Sequence, residues 1–115
     1  MNSARVLIVE DEYVVAEALR EALLSAGALC IYAVPTVRAA LQVLLEHRID
    51  AAVLDVDLEG ETSNPVADAL SQARIPFVFF TGGTGHAVGA DHRDVPLIRK
   101  PAMNRLIRMV SSICP

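Results

Sequence analysis

Polar residues lie just beyond several apolar runs of this chain, and they are Glu10, Asp11, Asp55, Thr81 and Lys100. If those runs are parallel strands of one sheet, their carboxyl ends meet at one edge, which is where open α/β sheets bind ligands. Three carboxylates, a hydroxyl and an ammonium gathered there suit a divalent cation beside a phosphoryl group. The sequence therefore predicts such a site at this edge.

Electrostatics indicates how the predicted site would work. Carboxylates 4 Å apart repel by about 4 kcal/mol per pair at an effective dielectric near 20, so three of them need a cation, and Mg²⁺ prefers oxygen ligands. Asp55 ends the third apolar run and is best placed to attack phosphorus, which would give an aspartyl phosphate. Lys100 would neutralise the phosphoryl oxygens and Thr81 would donate a hydrogen bond to one of them.

The apolar runs themselves indicate the fold. They start 19 to 26 residues apart, near Val6, Leu29, Ala51, Phe77 and Pro96. Each interval holds one strand and one helix, and the runs are continuous, as is typical of parallel strands covered on both faces. The sequence predicts a single α/β domain over residues 1–115, with five βα units in a doubly wound sheet and no output domain.

Helical periodicity fills the first two intervals. The first helix is predicted to bury a side that includes Val14 and to end at Gly27. The second is predicted to start at the N-cap Thr36 and to bury a side that includes Leu45. These helices would connect the first three strands and cover the sheet.

The later intervals are less regular. Asn64 is a candidate N-cap ahead of Pro65 in the third helix, and the last helix is predicted to open at Pro101. Residues 82–95, the glycine-rich segment, hold four of the six glycines where a fourth helix would be expected. Because each internal glycine costs a helix about 1 kcal/mol relative to alanine, we expect that helix to be short or mobile.

Composition narrows the function. The net charge is −4 and the basic residues are scattered, so nothing indicates direct binding to nucleic acid. No apolar stretch reaches the roughly 18 residues of a membrane span, and the start does not resemble a signal peptide, so a soluble cytoplasmic protein is expected. Neither the two cysteines nor the three histidines have metal-ligand spacing.

Four motifs that carry the polar residues, VLIVEDE, VLDVDLEG, FFTGG and IRKP, resemble the receiver domain of two-component response regulators. That resemblance implies a flavodoxin-like (βα)5 fold with strand order 2-1-3-4-5. It also implies a role for each site residue. These are Mg²⁺ ligation by Glu10, Asp11, Asp55 and the backbone carbonyl of Asp57, phosphoryl acceptance by Asp55, switching by Thr81 and phosphate binding by Lys100.

Phe79, Thr81 and Gly82 are similar to the Phe-x-Thr-Gly motif of a mainly alphaproteobacterial, often stand-alone subclass. A histidine kinase or histidine phosphotransfer protein would donate the phosphoryl group and a downstream protein would read it. The receiver would catalyse only its own phosphorylation and dephosphorylation. Leu97 replaces the aromatic residue common three positions before the lysine, so residues 82–90 of the glycine-rich segment are the candidate for the element that switches.

Three other readings share parts of this pattern. Asp55 and Asp57 also form the Asp-x-Asp of haloacid dehalogenase-like phosphatases, although there that motif ends the first strand and the acidic pair comes late. A flavodoxin-like domain could bind a flavin, yet three acids would repel an anionic ligand. A pseudo-receiver would act by protein contact without accepting phosphate.

Overall fold

Seven strands and four α-helices follow one another along the chain, and the structure, a computed structural model, describes residues 1–115. The strands are β1 (Arg5–Val9), β2 (Cys30–Val34), β3 (Ala51–Leu54), β4 (Asp57–Leu58), β5 (Glu61–Thr62), β6 (Phe77–Thr81) and β7 (Leu97–Arg99). The helices are α1 (Tyr13–Ser25), α2 (Val37–Glu46), α3 (Asn64–Gln72) and α4 (Met103–Ile113). No helix is both long and apolar enough to cross a bilayer.

Five of the strands form one sheet in the order β2-β1-β3-β6-β7, and every neighbouring pair is parallel. Counting only these five strands along the chain, the order is 2-1-3-4-5, so the predicted doubly wound fold is confirmed. The strand order reverses between β1 and β3, because β2 lies on one side of β1 and all later strands lie on the other. Ligands of such sheets bind at the carboxyl ends of the strands around this point.

The sheet is buried on both faces. In β1, Val6 and Ile8 point into the layer formed with α1 and α4, whereas Leu7 and Val9 point into the layer formed with α2 and α3. Successive strand residues face opposite sides, so each strand must be apolar throughout to fill two layers. This double burial explains the continuous apolar runs of the sequence.

Helix boundaries agree with the first two predictions, but Val14, Ala18 and Leu45, which were predicted to be buried, are exposed. Gly27 follows α1 with φ of 110°, and the Thr36 hydroxyl accepts from the Ala39 amide at 3.1 Å to cap α2. Val14 and Leu45, however, are 79% and 83% exposed. At 100° per residue, Val14 lies nearly opposite the buried Ala16, and Leu45 lies about 140° from the buried Ala40.

The later helix starts were also wrong by a residue or two. Ser63 is the N-cap of α3 and Asn64 is its first helical residue, and the Asn64 side chain bonds to the Ala87 carbonyl. The last helix begins at Met103, two residues after Pro101, whose bond to Lys100 is cis. No local pattern predicted the antiparallel β4-β5 hairpin, which turns at Gly60 with φ of 75°.

The glycine-rich segment contains only one turn of 3-10 helix, Ala90–His92, between β6 and β7. The expectation of a short fourth helix is confirmed. Four α-helices therefore cover a sheet of five strands, and one connection crosses without an α-helix.

Candidate functional site

The acidic residues predicted for the site lie together at the carboxyl ends of β1 and β3. Glu10 and Asp55 are 4% and 6% exposed, and Asp11 is half-buried. One carboxylate oxygen from each of these three residues lies within 4.8 Å of the others. The register of the sheet causes this, because Val9 pairs with Leu54 and the next residue of each strand enters the same edge.

Lys100 reaches this acidic cluster from the end of β7, two strands away from β3. Its Nζ lies 2.8 Å from Glu10 Oε2 and 2.9 Å from Asp55 Oδ2. A third carboxylate, that of Glu12, lies 3.7 Å from the same nitrogen but is largely exposed. The ammonium thus bridges the two buried carboxylates and offsets part of their mutual repulsion.

Burial changes the proton affinity of this cluster. Desolvation raises the pKa of Glu10 from 4.5 to about 7, and the Asp55 charge adds to the rise, while the Lys100 and Glu12 hydrogen bonds oppose it. Burial alone would lower the pKa of Lys100, but its hydrogen bonds to Glu10 and Asp55 outweigh that effect and raise it. Lys100 therefore stays charged at neutral pH, while Glu10 holds its proton far more readily than an exposed glutamate.

Thr81 ends β6 and is 2% exposed. Its hydroxyl oxygen accepts a hydrogen bond from the Gly83 amide at 3.2 Å. A hydroxyl that accepts one hydrogen bond keeps its own proton, so Thr81 remains a donor. The same contact ties the hydroxyl to the start of the glycine-rich segment.

Asp57 lies in β4, two residues beyond Asp55, with an exposed side chain. A Cβ placed on Gly83 would lie 3.6 Å from Asp57 Oδ2 and 3.7 Å from Thr81 Oγ1. Both oxygens therefore border the space beside Gly83. The sequence predicts a second role for Asp57, because its side chain would add negative charge near a phosphoryl group, and the structure brings its carboxylate beside the loop that follows Thr81.

The acidic cluster has the donor chemistry of a hard divalent cation. Its three converging side chains supply only carboxylate oxygens, which Mg²⁺ prefers over nitrogen or sulfur ligands. Two of the three, Glu10 and Asp55, already contact the Lys100 ammonium. A cation bound by this set would share those oxygens with the lysine.

Two polar contacts near the site escaped sequence reasoning. Glu12 adds a carboxylate beside Lys100, and the Glu61 carboxylate accepts from the Val37 amide at 3.1 Å, which ties the hairpin after Asp55 to the start of α2. The acidic run at residues 10–12 could have indicated the first contact. No local sequence pattern indicates the contact between residues 61 and 37.

A parallel sheet with buried carboxylates and a lysine at its switch point defines a doubly wound α/β domain with an acidic site at its strand ends. The chain belongs to the response regulator receiver domain family, whose model matches residues 6–110. The predicted family is confirmed. Membership places the chain in two-component signal transduction, and it favours the receiver over the phosphatase and flavin readings.

Solved structures of response regulators are similar over nearly the whole chain. SdrG from Sphingomonas melonis Fr1 is 40% identical with a TM-score of 0.83, covering 98% of both chains. The BeF3-activated conformation of SdrG, from Pseudomonas melonis Fr1, is 39% identical with a TM-score of 0.79 over 96% of both. The receiver domain of PhyR from Erythrobacter litoralis is 26% identical with a TM-score of 0.84, covering 98% of this chain and 91% of that one. No curated protein matches the sequence significantly.

Proposed function

We propose that Asp55 accepts a phosphoryl group from a histidine kinase or a histidine phosphotransfer protein, and that the chain acts as a stand-alone receiver over residues 1–115. The observation that carries this proposal is the Lys100 ammonium, bonded at 2.8 and 2.9 Å to the buried carboxylates of Glu10 and Asp55. The similarity to SdrG over 98% of both chains supports the receiver assignment. Family membership also makes the cytoplasm the expected location.

Glu10, Asp11, Asp55 and the backbone carbonyl of Asp57 are the proposed Mg²⁺ ligands. When bound, Mg²⁺ supplies positive charge to the phosphoryl oxygens, which otherwise would meet three carboxylates. The same charge reduces the repulsion between an anionic donor and Asp55. The cation would therefore offset much of the negative charge that the carboxylates and the phosphoryl group bring together in the site.

In the transfer itself, an Asp55 carboxylate oxygen attacks phosphorus and forms the new O–P bond. The P–N bond to the donor histidine breaks, and its electron pair stays on the imidazole nitrogen. Lys100 stabilises the charge on the phosphoryl oxygens, and the Thr81 hydroxyl donates a hydrogen bond to one of them. Hydrolysis later returns Asp55 to a carboxylate and releases phosphate.

The signal would leave through a surface that a downstream protein contacts. Arg99, Arg105 and Arg108 are exposed on β7 and α4. No acidic residue lies in α4, so this face is basic on a chain whose net charge is −4. We propose that it forms part of the surface read by the partner.

The test is the intact mass of the chain after incubation with Mg²⁺ and acetyl phosphate or phosphoramidate. The native chain is expected to gain one phosphoryl group and Asp55→Asn none. Glu59→Gln, which changes an exposed carboxylate in the hairpin turn, is the matched control and is expected to gain the group. Absence of a gain with every donor would favour the pseudo-receiver, and multiple turnover of p-nitrophenyl phosphate would favour the phosphatase.

A further inference from the structure

The side chain of Asn64 binds the glycine-rich segment at two points. Its Nδ2 donates to the Ala87 carbonyl at 2.7 Å, and its Oδ1 accepts from the Gly89 amide at 3.0 Å. One amide thereby satisfies a donor and an acceptor of a backbone that has no regular secondary structure there. The Asn64 side chain thus supplies the hydrogen bonds that a neighbouring strand would otherwise supply to this backbone.

A second polar contact lies one helical turn further along α3. His92 Nε2 lies 2.6 Å from Asp68 Oδ1, and His92 is 4% exposed although it follows a loop of glycines. The imidazole also packs edge-on against Phe77 at 5.9 Å between ring centroids. Residues 64 and 68 share one side of α3, so both contacts hold the same stretch of the segment. We call these two contacts the α3 latch.

The other end of the glycine-rich segment is tied to the functional site. The Gly83 amide donates to the Thr81 hydroxyl at 3.2 Å, so this hydroxyl and the α3 latch hold opposite ends of residues 83–92. Beneath the segment lies a cavity of about 170 Å³, lined in part by Phe79, Val88 and Leu97. The polar contacts therefore hold the segment over a space that side chains do not fill.

We propose that the α3 latch holds the glycine-rich segment in the resting position and opposes the movement of Thr81 toward a phosphoryl group on Asp55. This inference rests on the proposed function. Drawing the Thr81 hydroxyl toward Asp55 pulls on Gly83, while Asn64 and Asp68 hold the far end in place. Because coupling is reciprocal, phosphorylation loosens the latch and loss of the latch favours the phosphorylated state.

Backbone amide hydrogen exchange of the full chain tests the latch directly. Asn64→Ala removes the acceptor of the Gly89 amide, and we expect exchange at Gly89 and His92 to accelerate about tenfold, the factor that corresponds to one net hydrogen bond. The matched control is Gln72→Ala, which removes an exposed amide from the same helix and should leave these rates unchanged. Unchanged rates in Asn64→Ala would overturn the latch.

Titration with beryllofluoride and Mg²⁺, followed through the Gly82 and Gly83 amide signals, tests the coupling. We expect Asn64→Ala to bind the phosphoryl analogue several-fold more tightly than the native chain and Gln72→Ala to bind it equally. Equal or weaker binding by Asn64→Ala would overturn the coupling. If Asn64→Ala does not fold, Asp68→Ala, whose side chain is 61% exposed, serves in both measurements.

The two proposals fail in different ways. A native chain that neither gains a phosphoryl group nor binds beryllofluoride contradicts the proposed function and, with it, the coupling. Faster exchange in Asn64→Ala would still support the contacts of the α3 latch in that case. A native chain that is phosphorylated while both Asn64→Ala measurements match the control leaves the proposed function standing and removes the latch.

Discussion

Lys100 and Glu10 form a largely buried ion pair at the functional site. The ammonium is bonded to both buried carboxylates, so each proton and each cation that enters the site must share them with Lys100. Burial raises the pKa of Glu10 to about 7. Its protonation therefore falls within the range of pH at which the protein can be studied.

We predict that the metal-free protein loses stability as pH rises from about 5 to about 8. The pKa of Glu10 is about 7 in the folded chain against 4.5 for an exposed glutamate, so the folded state binds more protons between these values. Unfolding free energy then falls with rising pH, by up to about 3 kcal/mol. The stability contributed by the raised pKa of Lys100 is constant across this window, because it is lost only as pH rises above the ordinary value of 10.5.

Urea unfolding in a chelating buffer measures this dependence. Glu10→Gln keeps the shape of the side chain and cannot titrate, so its stability should vary less over the same range of pH. Native and variant proteins with the same pH profile would show that Glu10 does not carry the effect.

At the scale of elements, Gly85 shows how the glycine-rich segment replaces a helix. Its φ is 83°, in the region that favours glycine, and a Cβ there would lie 2.7 Å from Leu97 Cδ1. Leu97 stands where many receivers have an aromatic ring, and its side chain lies against Gly85. The backbone of the segment therefore lies close to the Leu97 side chain at Gly85.

Gly85→Ala is expected to destabilise the protein by about 1 to 2 kcal/mol, because alanine is strained at positive φ. The Leu97 side chain can rotate away from the new methyl group, so most of the cost comes from the backbone. Gly82→Ala is the matched control, since Gly82 has no positive φ and a Cβ added to it would meet no atom within 4 Å. Urea unfolding of both variants gives the comparison, and equal stabilities would contradict the argument.

The elements also show how far sequence reasoning extends. Continuous apolar runs such as Val6–Val9 indicate the doubly wound sheet because only strands buried on both faces need them. The same reasoning brings Glu10, Asp55 and Lys100 to one edge, since parallel strands end together.

Contacts between distant loop residues could not be derived in this way. Asn64 has the residue type of an N-cap, and its use as an anchor for Ala87 and Gly89 depends on the path of a segment without periodicity. His92 likewise has no sequence signal that connects it to Asp68, 24 residues away. Side-chain pairs of this kind follow from the tertiary fold and have no local pattern.

At the scale of the whole molecule, charge is distributed unevenly. Acidic residues outnumber basic ones by 14 to 10. A dense acidic group lies at the carboxyl edge of the sheet, while α4 carries arginines and no acidic residue. Repulsion between the carboxylates at this edge destabilises the folded state, and a bound cation reduces that repulsion. Cation binding and the stability of the entire fold are therefore linked.

Mg²⁺ is expected to raise the melting temperature of the whole protein. A ligand that binds only the folded state adds about 1.4 kcal/mol at ten times its dissociation constant, which corresponds to a shift of about 5 °C in a domain of this size. Thermal unfolding followed by circular dichroism measures the shift, with sodium chloride at equal ionic strength as the control for screening. Asp11→Asn replaces a half-buried ligand by a weaker one and should show a smaller shift. If sodium chloride or Asp11→Asn reproduced the native response to Mg²⁺, the stabilisation would come from general screening of the acidic edge, and Glu10, Asp11 and Asp55 would not form a specific cation site.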